Sequence, residues 1–91
     1  MKKIEEAMCA AVKERRDWRG GNTTVKNDGS GFMFVFLYDS LIATISGNVG
    51  SFTLAGWDSK TTRSRLRALG VKFDRKAMYR DDSWYNFVAE L

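Results

Sequence analysis

The order of hydrophobic and polar residues over the first 18 positions predicts an amphipathic helix. At about 100° per residue, the apolar side chains fall within an arc of about 140°. The opposite side carries oppositely charged pairs at i,i+4 spacing, such as Lys2 and Glu6, which weakly favours a helix. Gly20-Gly21 is expected to end the helix, and Cys9 falls on its polar side. The inward-facing residues are Ile4, Ala7, Met8, Ala11, Val12 and Trp18.

The hydrophobic pattern then changes to strict alternation, which is typical of β-strands. The clearest strand covers residues 32–38, where Phe34 and Phe36 face one way and Val35 and Leu37 face the other. The connections to its neighbours are too short for crossovers, so we expect antiparallel pairing. A strand that is apolar on both faces is typical of a central strand with cover on both sides. A base-stacking face, or a face that binds a protein or a second copy, is the alternative.

A second, shorter helix is predicted to follow residue 58 and to end at Gly70. Asp58 or Thr61 is the expected N-cap, and Leu66 and Leu69 are expected to point inward. Packing these two leucines inward leaves the charged side chains of the helix on its outer face.

The last part of the chain completes the predicted fold. Residues 76–80 and 84–89, separated by Asp81-Asp82-Ser83, predict a closing hairpin. The sequence therefore predicts a single α+β domain over residues 1–91. Its expected architecture is an antiparallel β-sheet meander with an N-terminal amphipathic helix and a second short helix, in the order α-β-β-β-β-α-β-β.

Charge is spread unevenly along the chain, although the net value is only +4. Residues 60–80 hold eight Lys or Arg against Asp74, a local charge of +7. Arg65 flanks the inward side of the second helix and is expected to pair with an acidic residue of the sheet or the cap. The other cations form either a solvated face or a surface that binds phosphate backbones or the acidic face of a protein. The candidate partner-binding residues are Lys60, Arg63, Arg67, Arg75, Lys76 and Arg80.

The residue types argue against catalysis and against a cofactor or metal. The chain has no histidine, which removes the commonest general base and the commonest zinc ligand. Its glycines match no phosphate-binding loop, and Asp81 and Asp82 fit a turn better than a metal site. We therefore expect a non-enzymatic protein without cofactors.

Cysteine usage and hydropathy indicate where the protein works. The one cysteine, Cys9, permits no internal disulfide and suits a reducing cytoplasm. The longest apolar run has seven residues, far fewer than the roughly 20 that a membrane-spanning helix needs. The N-terminus also lacks the plan of a signal peptide, because Glu5 and Glu6 closely follow Lys2 and Lys3. We expect a cytoplasmic protein without a membrane partner.

Several segments together resemble a group of small bacteriophage proteins. The most specific is Trp57–Leu69, which follows the pattern W-x-T/S-x-T-T-x-S-R-L-x-A-L. It is accompanied by residues 3–5 and Trp18 of the first helix, by Asn22–Val25 and by Leu37–Ala43. This resemblance implies a phage or prophage origin, and it carries no catalytic residues across.

Two functions fit a small phage protein of this kind. Short accessory phage proteins without catalytic residues often occlude a host enzyme or defence complex, as anti-CRISPR and anti-restriction proteins do. We therefore expect a protein that binds and inhibits a host bacterial protein or complex. The basic charge argues against a mimic of DNA, which would need an acidic surface. Direct binding of nucleic acid is the alternative function. The sequence is also compatible with a homodimer.

Overall fold

Two helices and six strands make up the computed structural model, which describes residues 2–91. The strands form one sheet in chain order, and every neighbouring pair is antiparallel. This architecture confirms the predicted α+β class. The elements are α1 (Lys3–Glu14), β1 (Trp18–Gly20), β2 (Thr23–Asn27), β3 (Met33–Leu37), β4 (Ser40–Ser46), β5 (Val49–Phe52), α2 (Lys60–Leu69) and β6 (Tyr85–Val88).

Two-residue turns set the register of three of the strand pairs. Gly21-Asn22 joins β1 to β2, Tyr38-Asp39 joins β3 to β4, and Gly47-Asn48 joins β4 to β5. The first residue of each turn has a positive φ, between 55° and 62°. Such turns match the right-handed twist of the flanking strands. Because each turn fixes one register, alternate residues of a strand are assigned firmly to one face of the sheet.

The first helix is shorter than predicted. It ends at Arg15, which adopts the left-handed conformation (φ 58°, ψ 43°) and donates its backbone N–H to the carbonyl of Val12. This cap redirects the chain toward the sheet without a glycine. Trp18 therefore lies in β1, paired with Val25, and not in the helix. The expected stop at Gly20-Gly21 is wrong, since these residues belong to β1 and the turn after it.

The predicted closing hairpin does not form. Residues 76–80 contain no strand, and β6 pairs with β5 instead. Two aromatic side chains explain the difference, because Phe73 and Tyr79 turn inward, with ring centroids 5.5 and 6.1 Å from that of Phe52. The segment between α2 and β6 is therefore a loop anchored by aromatic packing, and the observed order is α-β-β-β-β-β-α-β.

Both helices pack on the same face of the sheet. Val25, Val35, Ala43 and Phe52 lie in register across that face and are buried. The inward leucines of α2 are buried as predicted, and so are three of the inward residues of α1. The rest of the core consists of Met8, Ala11, Val12, Met33, Leu37, Ile42, Ile45, Leu54, Leu66, Leu69, Val71 and Ala89.

The other face of the sheet has no cover from any part of the chain between residues 2 and 91. Phe34 and Phe36 are half-buried and stand outside the core, and Phe32 is 46% exposed. The expectation of a strand covered on both sides is wrong, because both helices lie against the face of Val35. We call the uncovered side the open face, and the register places on it Arg19, Thr24, Lys26, Phe34, Phe36, Leu41, Thr44, Ser51 and Asn86, with Phe32 at its edge.

Gly70 ends α2 as predicted and also brings the helix against the end of the chain. Its φ is 117°, and a Cβ at this position would lie 2.6 Å from the backbone nitrogen of Glu90. That nitrogen donates to the carbonyl of Leu69 at 2.9 Å. A side chain at position 70 would therefore separate α2 from the segment that follows β6.

Candidate partner-binding surfaces

Ser59 caps the N-terminus of α2, in place of the predicted Asp58 or Thr61. Its hydroxyl accepts a hydrogen bond from the backbone N–H of Thr62 at 3.1 Å. The carboxylate of Asp58 is not used in the cap, and it bonds instead to Arg63 one turn further along.

Arg63 is held by two kinds of contact and does not stand free in solvent. Its Nε and Nη2 donate to the two carboxylate oxygens of Asp58, at 2.7 and 2.9 Å. Its guanidinium lies 4.6 and 5.9 Å from the ring centroids of Phe73 and Tyr79. The hydrogen bond from Arg63 holds the pKa of Asp58 below its usual range, and the same bond raises the pKa of Arg63. Arg63 therefore joins α2 to the loop that follows it.

The other five candidate cations are exposed, and no carboxylate within residues 2–91 lies within 4.0 Å of them. The guanidinium of Arg67 lies 5.4 Å from the ring centroid of Phe73. Met78, which is 94% exposed, belongs to the same loop. We call these five cations the basic surface: Lys60, Arg67, Arg75, Lys76 and Arg80.

Three carboxylates interrupt the positive charge of this region. Asp74, Asp81 and Asp82 are exposed, and the last two lie in a turn, as predicted. The carboxylate of Asp74 accepts the backbone N–H of Lys76 at 2.9 Å. The basic surface therefore mixes five cations with three anions instead of presenting an unbroken positive field.

Arg65 is buried between the two helices. Its Nη1 donates to Glu5 Oε2 of α1 at 2.9 Å, and its Nε donates to the hydroxyl of Thr23 at 3.0 Å. Ser64 donates to the same oxygen of Glu5. Burial alone would raise the pKa of Glu5, but the hydrogen bonds from Ser64 and Arg65, with the charge of Arg65, lower it overall. Arg65 has the acidic partner that was predicted, but that partner comes from α1 and not from the sheet or the cap.

The helical angle of Cys9 predicts that it lies on the polar side of α1. The structure shows that this prediction is wrong, because Cys9 faces α2. Its thiol donates to the carbonyl of Ala68 on α2 at 3.2 Å. Burial, helped by the negative charge of Glu5, raises the pKa of this thiol. The thiolate is the reactive form, so a raised pKa makes Cys9 a poor nucleophile.

A groove of about 530 Å³ lies on the open face beside β1 and β2. Arg19 and Lys26 line it, together with Phe36 and Asp39, and the amine of Lys26 lies 5.6 Å from the ring centroid of Phe36. Neither cation is among the predicted binding residues, because the sequence pattern predicts no strand at residues 18–20 and therefore no hairpin that brings Arg19 beside Lys26. The missed signal is Gly21-Asn22, since a two-residue Gly-Asn turn predicts a hairpin.

Buried polar groups are satisfied throughout the described part of the chain. Every buried side-chain nitrogen or oxygen in residues 2–91 has a hydrogen-bond partner. No group of three or more His, Cys, Asp or Glu side chains in that range is placed to hold a metal ion. Neither helix there has both the length and the apolar character needed to cross a membrane.

The fold and its surfaces define a small α+β protein with a sheet covered on one side and a basic helix–loop surface. The profile of the Kyanoviridae Gp96 protein family matches residues 1–89. The chain belongs to this family and is a small phage protein, which confirms the origin implied by the resemblance. No curated protein and no solved structure matches the chain.

Proposed function

We propose that the protein acts without catalysis, by binding and inhibiting a host bacterial protein or complex, in the manner of anti-CRISPR and anti-restriction proteins. The observation that carries this proposal is the basic surface, whose five exposed cations have no ion-pair partner within residues 2–91, together with the exposed Met78 of the same loop. Such a surface is complementary to the acidic face of a protein. Membership of a phage family supplies the setting, because an infected cell presents host proteins to a phage product.

The composition of the basic surface favours a protein over a nucleic-acid duplex. Methionine and arginine are enriched in protein interfaces, and a flexible methionine adapts to different contours. Met78, in the loop that carries Arg75, Lys76 and Arg80, is 94% exposed. The carboxylates of Asp74, Asp81 and Asp82 would repel a continuous phosphate backbone, whereas a protein can place its own cations opposite them.

The basic surface also has a firm base. The rings of Phe73 and Tyr79 pack edge to face, with centroids 5.3 Å apart. Arg63 lies over both rings and bonds to Asp58 at the start of α2. A surface that is shaped before binding loses less conformational entropy when the partner arrives.

A role without catalysis is supported by the state of the reactive side chains. The chain has no histidine, and the thiol of Cys9 is half-buried with a raised pKa. The buried carboxylate of Glu5 is held by Arg65 and Ser64, so it is not free to exchange a proton with a substrate.

Capture of a partner from a nuclease-treated bacterial lysate tests the proposal. One bait is the unchanged chain. The second bait reverses three charges of the basic surface: Lys60→Glu, Arg67→Glu and Lys76→Glu. The matched control reverses three exposed cations of α1 and the residue before it, none of which has a carboxylate within 4.0 Å in residues 2–91: Lys2→Glu, Lys3→Glu and Lys13→Glu. Arg63 is left unchanged, because reversing it would also break its bond to Asp58.

We expect the unchanged chain and the control to capture the same protein, identified by mass spectrometry. The basic-surface variant should lose that protein while keeping its melting temperature, since exposed charges contribute little to stability. Equimolar addition of the unchanged chain should then inhibit the activity of the captured protein. If the basic-surface variant captures the same protein equally well, the surface is merely solvated and the proposal fails.

A further inference from the structure

We propose that the open face binds single-stranded nucleic acid, with bases stacked on Phe34 and Phe36 and phosphates held by Arg19 and Lys26. This function is separate from the proposed protein binding, and it lies on the other side of the sheet from α2. It rests on three features of the open face, namely a row of aromatic rings, two cations in register with them and a groove beside them.

The aromatic rings of β3 form a row that can accept successive bases. Phe34 and Phe36 lie two residues apart and therefore face the same way, and Phe32 continues the row. The ring centroids of Phe32 and Phe34 are 6.5 Å apart. Phe32 is 46% exposed, and the rings of Phe34 and Phe36 are half-buried. Every base has a stacking face, so such a row binds single strands with little sequence preference.

Two cations stand where the backbone of a stacked strand would run. Lys26 pairs across the sheet with Phe34, and Arg19 pairs with Thr24, the neighbour of Phe36. The amine of Lys26 lies 5.6 Å from the ring centroid of Phe36 and so covers that ring in the free protein. A base that stacks on Phe36 displaces this amine toward its own phosphate, which replaces a cation–π contact with an ion pair.

The shape and charge of the groove favour a single strand over the other occupants. The groove of about 530 Å³ runs from Arg19 to Phe36, with one carboxylate, Asp39, among its lining residues. A duplex keeps its bases stacked on one another and cannot offer them to a phenylalanine row. A second copy of the chain would bring the same two cations into a shared interface, where like charges repel.

Fluorescence anisotropy with labelled oligothymidylate of about 12 nucleotides tests this proposal. The unchanged chain should bind the single strand more tightly than a duplex of the same length. Phe36→Leu keeps an apolar side chain on the sheet but removes the stacking ring, so it should weaken binding about tenfold. Phe36→Tyr keeps a ring and should restore the affinity.

The salt dependence separates the cations of the two surfaces. Each phosphate contact on a single strand contributes about 0.7 to the slope of log affinity against log salt. Lys26→Gln should therefore lower the slope by about that amount, while Lys13→Gln on α1 should leave it unchanged. A third variant neutralises the basic surface through Lys60→Gln, Arg67→Gln and Lys76→Gln. It should bind the oligonucleotide as tightly as the unchanged chain does.

Four results would overturn the proposal. These are no anisotropy change at about 50 mM salt, equal binding of duplex and single strand, full binding by Phe36→Leu, or loss of binding with the neutralised basic surface. Sedimentation that shows a dimer dissociated by Phe36→Leu would assign the open face to a second copy instead. The first three results do not involve the basic surface and leave the capture of a host protein untouched, so this proposal can fail while the proposed function stands. The fourth would instead assign nucleic-acid binding to the basic surface and would count against both proposals.

Discussion

Arg63 and Arg65 stand two residues apart on α2, and each binds a carboxylate, yet the two ion pairs differ in their surroundings. The side chains of Arg63 and Asp58 are 28% and 39% exposed, whereas those of Arg65 and Glu5 are each 6% exposed. The exposed pair joins neighbouring parts of the chain, while the buried pair joins α1 to α2. Helical geometry turns the two side chains about 200° apart, and burial follows from that angle.

The difference shows that an ion pair cannot be valued from its distances alone. The shortest contacts are 2.7 Å in the exposed pair and 2.9 Å in the buried one. Water screens the first pair, so its net contribution is small. The second has given up its hydration, and each partner depends on the other and on Thr23, Asn22 and Ser64. The exposed pair, although its contact is shorter, is therefore expected to contribute less to the free energy of unfolding.

Removal of Arg65 should give the largest effect. Arg65→Ala leaves Glu5 buried without its cation and should cost about 3–5 kcal/mol of unfolding free energy. That loss is a large fraction of the unfolding free energy of a folded domain, which is about 5–15 kcal/mol. Urea unfolding followed by circular dichroism measures it, with Arg67→Ala as the exposed control. Equal unfolding midpoints for the two variants would contradict the comparison.

Replacement of both buried partners separates the value of the pair from the penalty of breaking it. Glu5→Leu combined with Arg65→Met removes both charges from the interface between the helices. The double variant should be more stable than Arg65→Met alone by at least about 1 kcal/mol, because no unpaired charge is left buried. The same urea titration measures this coupling, and a double variant no better than the single one would show that Glu5 tolerates the loss of its partner.

Acid should weaken the buried pair through Glu5. Its pKa in the folded chain is lowered, so its stabilising contribution is present above the unfolded value of about 4.3 and is lost as pH falls through the folded value. The difference in unfolding free energy between the unchanged chain and Glu5→Gln should therefore shrink from pH 7 to pH 3. Urea midpoints at several pH values give this difference. A difference that stays constant over the whole range would show that the charge of Glu5 adds nothing.

Removal of Arg63 should give the smallest effect. Arg63→Ala breaks an exposed bond to Asp58 and a cation–π contact with Phe73, at a cost of about 1 kcal/mol or less. Arg63→Lys keeps the charge but cannot bond to both carboxylate oxygens in the same way. Its unfolding free energy should therefore fall between those of the unchanged chain and Arg63→Ala. Thermal unfolding at low and high salt measures how much of this loss comes from the ion pair, because salt screens an exposed pair. If Arg63→Ala lost as much stability as Arg65→Ala, the exposed and buried ion pairs would contribute equally, which would contradict the comparison.

The sequence predicted the features that depend only on neighbouring residues in the chain, such as strand alternation and the end of a helix. The alternation over residues 32–38 separated the buried Val35 from the open-face Phe34, because the period of a strand is fixed. Gly70 marked the end of α2 for a similar reason, since few other residues adopt its φ of 117°. What covers the far side of a strand depends on where the helices pack, and no pattern within β3 specifies that.

The sequence did not predict the contacts of the candidate site that come from residues distant along the chain. The helical angle correctly placed Arg63 on the outer side of α2, but its contacts come from Asp58 before the helix and Phe73 after it. The stretch 76–80 was predicted as a strand, and it became a loop because Tyr79 packs against Phe52 in the core. Such contacts depend on tertiary packing, which overrides local propensity.

The late position of β6 in the chain has a consequence for the order of folding. β1 to β5 follow one another with short connections, but Phe52 of β5 pairs with Tyr85 of β6. Adding β6 requires closure of a loop of about 30 residues, which is slower than closing the short turns. The five-strand meander is thus expected to assemble first, and the loop between α2 and β6 settles when β6 docks. The aromatic row of the open face would then be complete before the basic surface takes its final shape.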